Sequence, residues 1–583
     1  MVALLGLVLA GCVSLPQSGG VQSGPDQEQA EPSDAPFDYT PDGPSPGAAP
    51  VDIVGGYLLA MQATPLSTAV AREFLTDEAS KAWDPEKGTV VYGSSSLTDK
   101  GRAVGLSLSE TVQLDGRGEW LGNTTDRRGL QHTLRLVRDR GEWRISNPTD
   151  ALIVPQAHFE TRFAQYFLYF FDRSAQVLVP EPVYLPRGEQ TPTLLVRGLL
   201  RGPALGLRGA PRTIFPPRTE LDDLSVLVSD NGTAEVPLSE EILDLDDEQA
   251  NMALGQLSWT LRQVPGLETM RVTVDGSPLD LPGEGVDQDV QAWPELDPSV
   301  SWASHELFGI RDGHVVSRAG TQERRIDGLF GAEDSGLRSI GVDLPADQVA
   351  GVSDDGSRVL VAPRSPEPGK VPSAADATVI ASGATNLLPP VWDIYGQVWL
   401  LDRTRGGGTL TVVRSGVART VEAPGLTGER IKAFVVSRDG TRLVAVVNDR
   451  RRDRLVLTRI LRRNDGTVRG LSSTTPLSIR ALGVKRIRDL AWRTPGSLAL
   501  LTGPTPGLSQ VVVATIDGSS AVRDVATDAE FFRKEAVRIV TSPATGTPLY
   551  VGTADRRLLE LADDGRRTGA GIRSGMSSPT FVG

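Results

Sequence analysis

The chain runs to 583 residues, with 60 basic and 73 acidic side chains, a formal net charge of −13 and one cysteine. That length calls for several domains, and 62 glycines with 41 prolines point to many turns and much β-structure. An acidic balance without a basic block argues against nucleic acid and against electrostatic attraction to anionic lipid. A single cysteine excludes an internal disulfide or a multi-cysteine metal site.

The first segment, residues 1–11, carries no charge and closes with Leu9, Ala10 and Gly11 before Cys12. It is too short to span a bilayer, which needs about 20 residues, so it reads as a processed targeting segment. Its ending resembles the lipobox of bacterial lipoproteins. The resemblance implies cleavage before Cys12 and acylation there, with two or three acyl chains giving a firm anchor on the extracytoplasmic face of the cell membrane. No Lys or Arg precedes the apolar run, a departure from the pattern that puts the expected start upstream of Met1. The rest of 12–50 is Pro- and Gly-rich, with Asp26, Glu28, Glu31, Asp34, Asp38 and Asp42 and no basic residue. Such a stretch reads as a disordered acidic tether, with a reach of roughly 35 Å.

Residues 51–155 form the first expected unit. Ile53, Val54, Tyr57, Leu58 and Met61 recur at helical spacing, as do Leu66, Val70 and Phe74. Strand-like runs follow at 89–92, 102–112, 119–121, 130–138 and 142–145, and Arg138-Asp139-Arg140-Gly141 turns the last two into a hairpin. Helices before a meander that ends in Gly141-Glu142-Trp143-Arg144-Ile145 resemble the cone-shaped NTF2-like α+β fold, in which Trp143 would plug the sheet. His132 stands alone in an alternating strand without a carboxylate partner in view, so it reads as structural.

Residues 156–285 open on a dense aromatic run, Phe163–Phe171, followed by strand signals at 177–179 and 183–185 among Pro180, Pro182 and Pro186. A helix is expected over 191–201, then strands at 224–228 and 234–238. A second helix starts near Asp246, and Ala250, Ala253, Leu254, Leu257, Leu261 and Val264 make its core face. A strand over 270–274 closes the unit. The order and wording of these segments resemble the α/β GerMN domain of sporulation and germination proteins, an interaction module. Met252 and Trp259 lie off the core stripe and are candidate partner-binding residues, weighed against packing on the sheet.

Residues 295–583 have little helical periodicity and many short β-runs. A turn before an apolar strand repeats: Ser353-Asp354-Asp355-Gly356-Ser357-Arg358 has a near copy in Ser437-Arg438-Asp439-Gly440-Thr441-Arg442. Looser versions begin at Trp302, Trp392, Trp492 and Ser542. The spacing fits four-stranded propeller blades of about 40–50 residues, with about six blades and a last strand from the C-terminal residues. No nucleophile elbow or phosphate loop occurs, and His305 and His314 lack a third histidine for a metal. No catalytic residue, metal or cofactor is therefore expected.

Lipobox, acidic tether, NTF2-like unit, GerMN unit and propeller, in that order, resemble the actinobacterial LpqB lipoprotein family over the whole chain. The resemblance implies a non-enzymatic accessory of the MtrA/MtrB two-component system. Such an accessory contacts the extracytoplasmic domain of the MtrB sensor histidine kinase and serves cell-envelope homeostasis and division. Two other readings stand beside it: a passive cell-wall-binding scaffold, and an envelope hydrolase or lyase working through a carboxylate pair of the propeller.

Overall fold

A computed structural model describes residues 38–123, 129–203, 211–279, 285–479, 482–503, 505, 507–519, 531–532, 536–561, 572–573 and 575–583. Along it an α+β unit, an α/β unit and an all-β propeller follow one another. Leu9, Ala10, Gly11, Cys12 and most of the expected tether lie outside the described residues.

The first unit begins with the helix Pro50–Ala60, whose leading proline sits where no intrahelical N–H is needed. It buries Ile53, Val54, Tyr57 and Leu58. Residues 38–49, acidic and Pro-rich, are held on this unit by main-chain bonds that composition does not reveal. Tyr39 and Thr64 exchange N–H···O bonds of 2.8 and 2.9 Å, and Gly47 N donates to Glu142 Oε2 at 2.8 Å. One sheet orders Trp120–Asn123, Val112–Asp115, Gly88–Tyr92 and Leu152–Pro155; the other orders Ser94–Asp99, Ala103–Ser109, Leu130–Asp139 and Glu142–Ile145. The run 102–112 is thus two strands, broken near Glu110, whose φ is 53°. Ser94–Asp99 was too polar to signal a strand. The hairpin at 138–141 forms as expected, with Arg140 and Gly141 at φ 52° and 89°, a two-residue turn whose twist matches its strands. Trp143 does not plug the sheet. It is half-buried with the Arg138 guanidinium 4.9 Å over its ring, and Trp83 and Trp120 are buried in the core instead.

In the second unit the helices Thr191–Leu200 and Asp247–Leu261 pack on a sheet of Leu227–Val228, Thr233–Pro237, Thr269–Val274 and Ser277–Pro278, with Gln288–Asp289 beside it. Asp246 starts the long helix with a capping box: its carboxylate accepts from Gln249 N at 2.8 Å, and its own N–H donates to Gln249 Oε1. All six stripe residues pack in this core. The strand expected over 224–228 shortens to Leu227–Val228 and leaves Leu224 83% exposed.

The propeller holds six sheets of four or five strands among the described residues. Their innermost strands are Ser577–Thr580, Leu337–Val342, Val391–Trp392, Ile431–Val436, Ile487–Thr494 and Ala536–Val540. Ser577–Thr580 pairs with Leu307–Arg311, so the end of the chain completes the blade that its start began and removes an open edge. The blade number matches the repeats, but their phase does not. The turns at 393–397, 437–441 and 495–496 join innermost to second strands, whereas 354–358 and 312–313 join second to third. The equivalent turn of the second blade is Asp343–Asp347. Ser353 and Ser437 look alike because the turn is a local device: each hydroxyl accepts the N–H five residues on, at 3.1 and 3.0 Å, and each following Asp accepts another. Thr553 and Asp555 build it a third time.

Candidate functional site

The aromatic run Phe163–Phe171 and Leu178–Pro186 form a two-stranded ribbon. Two side chains of the long helix and its end extend the ribbon as a third strand would. Phe167 N donates to Gln263 Oε1 at 2.8 Å, Gln263 Nε2 returns to Phe167 O at 2.7 Å, and Tyr169 N donates to Thr260 Oγ1. Phe167 and Tyr169 therefore turn their N–H groups away from Pro182 and Pro180, the residues opposite them. Those prolines sit at positions where no ladder bond is lost.

The ribbon joins all three units through Tyr184. Its ring packs 5.5 Å from Trp120 and 5.7 Å from Phe159 in the first core, and its N–H donates to Gly118 O at 2.8 Å. Gly118 has φ 85°, and a Cβ there would lie 2.5 Å from Tyr184 O, so only glycine allows this approach. The phenol reaches the propeller, donating to Asp517 Oδ2 at 3.1 Å and accepting from Gln165 Nε2 at 3.0 Å. Burial holds it protonated far above the usual tyrosine range.

Glu181 supplies the charge of this joint. It accepts both η nitrogens of Arg459 on the fourth blade, one at 2.7 Å, with both side chains nearly sealed from water. Burial works against the Glu181 carboxylate, yet Arg459 holds its pKa below the usual value, as expected for a paired, bidentate contact. Asp172 and Ser174 meet Tyr395 of the third blade, and Arg462 lies 4.1 Å from the Tyr395 ring while bonding Asp393 at 2.6 Å. Phe167 rests on Gly496, where a Cβ would be 2.5 Å from the ring. Between these contacts lies a cavity of about 440 Å³, lined by Glu119, Trp120, Glu181, Arg442, Arg459 and Asp517 among others. Burial pushes the Glu119 carboxyl up to about 7, against the pull of Arg117. A second cleft, of about 560 Å³, separates the first two units. Arg117 Nη1 crosses beside it to Gly202 O at 2.8 Å.

This arrangement fastens units together, and its carboxylates are spent on it. Glu181 is occupied by Arg459, and Glu119 accepts from Arg117. Among the described residues no group of three His, Cys, Asp or Glu side chains is arranged to hold a metal. His132 is half-buried, with Nδ1 3.4 Å from Thr149 Oγ1, and His314 Nδ1 lies 3.1 Å from Gly331 O.

Met252 and Trp259 are both half-buried on the long helix, against Tyr169, Phe171 and Leu178 of the ribbon. Trp259 Nε1 donates to Trp293 O at 2.9 Å, and Arg262 covers its ring at 3.7 Å. The residues that bind the units, Glu181 and Tyr184, were not singled out in the sequence. One signal was present: Glu181 is the only charge in the run Val177–Leu185, and a lone acid among buried strand residues calls for a buried partner.

Three family models match the chain. The LpqB N-terminal domain covers residues 43–160, the sporulation and spore germination domain 167–280, and the LpqB β-propeller domain 313–571. Lipoprotein LpqB of Cutibacterium acnes is 27% identical over 585 residues, covering 96% of this chain and 95% of that protein. Its counterpart in Thermobifida fusca is 26% identical over 620 residues with the same coverage. That of Streptomyces avermitilis is 28% identical over 558 residues, covering 88% of this chain and 87% of the relative. Among solved structures, the first GerMN domain of the sporulation protein GerM from Bacillus subtilis is 20% identical. It covers 22% of this chain and 97% of its own, with a TM-score of 0.18.

Proposed function

We propose that this chain, which belongs to the LpqB lipoprotein family, is a cell-surface lipoprotein that binds the extracytoplasmic domain of an MtrB-type sensor histidine kinase. In this reading it modulates MtrA/MtrB signalling in envelope homeostasis and division, by binding and without catalysis. Cys12 carries the lipid anchor. Among the described residues no helix is long and apolar enough to cross a membrane, and the relatives are named lipoproteins.

The observation that supports the reading most is the joint itself. Tyr184 and Glu181 tie the unit nearest the anchor, the ribbon and the propeller together, so a partner docked on one module is held in a set orientation to the others. Regulation then requires that the chain bind one signalling state of the kinase better than the other. The exposed parts of Met252 and Trp259 are the proposed contact on the second unit.

The test is direct binding of the full, unlipidated chain to the kinase ectodomain of the same organism, by surface plasmon resonance. Saturable binding is expected, together with changed kinase autophosphorylation in vesicles. Absence of binding at high micromolar concentration overturns the reading, and retention on purified cell wall instead would favour the scaffold.

A further inference from the structure

The two ends of the propeller channel are built differently. At the end where the innermost strands finish, every contact described between the propeller and the ribbon is made, apart from those on the flank of the fourth blade. The channel is also closed there: Gly583 N donates to Val342 O at 2.9 Å, and Arg438 donates to Ser299 O and Val582 O. At the opposite end, where these strands begin, no described residue of the first two units makes a hydrogen bond or ion pair.

That second end has a repeated irregularity. The strands starting at Leu337, Ile431, Ile487 and Ala536 each slip register at their second residue, which is Arg338, Lys432, Arg488 and Val537 in turn. Ser577–Thr580 slips too. Bulges of this kind re-aim side chains and recur beside binding sites. Three of the four place a cation at the rim.

Two of these cations do structural duty. Arg488 donates to Ala536 O of the next blade at 2.9 Å, and Lys432 bonds Asp453, which in turn accepts Ile487 N. The other cations converge. Arg338 and Arg403 both donate to one oxygen, Asn386 Oδ1, at 2.8 and 3.1 Å, and Arg338 donates also to Leu387 O at 2.6 Å. Arg538 comes from the sixth blade, across the channel from Arg403 on the third. Burial and repulsion by Arg338 and Arg538 pull Arg403 below the usual arginine value. The nearby acids do not pair with Arg338 or Arg403. Asp402 accepts the N–H groups of Thr385 and Asn386. Asp489, buried, pairs with Arg538 at 3.5 Å and leaves Arg338 and Arg403 unmatched. Among the described residues no carboxylate comes within 4.0 Å of Arg338 or Arg403, and the Arg403 Nε is buried without a partner. Like charges held together around a neutral amide are costly unless an anion joins them.

We propose that this rim carries an anion site where the second and third blades meet, with Arg338 and Arg403 receiving the phosphate or carboxylate group of a small molecule. Planar guanidinium forks suit such oxyanions.

The experiment is calorimetric titration of the full chain with inorganic pyrophosphate and, separately, with citrate, at low and high salt. Binding of at least one is expected, weakened by salt and weakened about tenfold or more in Arg403→Gln. Pyrophosphate alone assigns a phosphate ligand and citrate alone a carboxylate. Arg403→Gln keeps an amide donor for Asn386, and a thermal melt shows that it folds. Arg403→Lys should regain part of the affinity, and Arg463→Gln, at the far end of its blade, should change nothing. Failure of both anions to bind at millimolar concentration, or equal affinity in Arg403→Gln, overturns the proposal.

Discussion

The two ends of the propeller handle their charges to opposite effect. On the docked side, Glu181 with Arg459 on the flank of the fourth blade and Asp393 with Arg462 at the strand ends are matched at 2.5–2.7 Å and nearly closed off from water. At the other, Arg338 and Arg403 share an amide oxygen and face no carboxylate. A charge removed from water is tolerated only with its counter-charge in place. The first set is therefore an internal fastening, complete within the chain, and the second is a surface whose neutralisation is left to solvent or ligand. Substitutions should separate the two.

The largest effect is expected at Glu181. Glu181→Ala strands a buried guanidinium and should cost about 3–5 kcal/mol, read by urea unfolding. Replacing the pair together, as Glu181→Leu with Arg459→Met, should recover most of that loss; a double variant as unstable as the single one would show that the pair is more than a matched charge. Next comes pH. Glu119 has a folded-state value of about 7, above its unfolded one, so the folded state binds the extra proton. Stability is then full below about pH 4.5 and falls as pH rises toward 7, by about 2 kcal/mol after allowance for partial exposure. Glu119→Gln should flatten that part of the profile, and an unchanged slope would locate the titrating group elsewhere. Tyr184→Phe keeps the ring between Trp120 and Phe159 but loses the bonds to Asp517 and Gln165, an expected cost of about 1 kcal/mol. The smallest effect belongs to the open end, where Arg403→Gln should shift stability by less than about 0.5 kcal/mol. A large loss there would mean that the rim is a fastening too.

Legibility in the sequence followed the range of the forces involved. The long helix of the second unit could be placed from near Asp246 onward, because its cap and the stripe from Ala250 to Leu261 are local. The blade number was legible for the same reason, since a turn followed by an apolar strand recurs at blade spacing, with Ser and Asp in its two best copies. Their phase was not, because an identical turn serves two different connections and only strand pairing tells them apart. Ser94–Asp99 and residues 38–49 escaped notice because backbone bonds, not apolar side chains, hold them.

What the sequence by itself determined is the order of modules, the core stripe of the long helix and the closure of the propeller by its last strand. These rest on periodicity and turn chemistry within a few dozen residues. What only the tertiary structure decided is which charges meet. Glu181 and Arg459 lie 278 positions apart, and Arg338 and Arg403 belong to different blades. Local pattern cannot encode a contact between residues whose distance is set by how whole units pack, and that packing is where paired and unpaired charge were sorted.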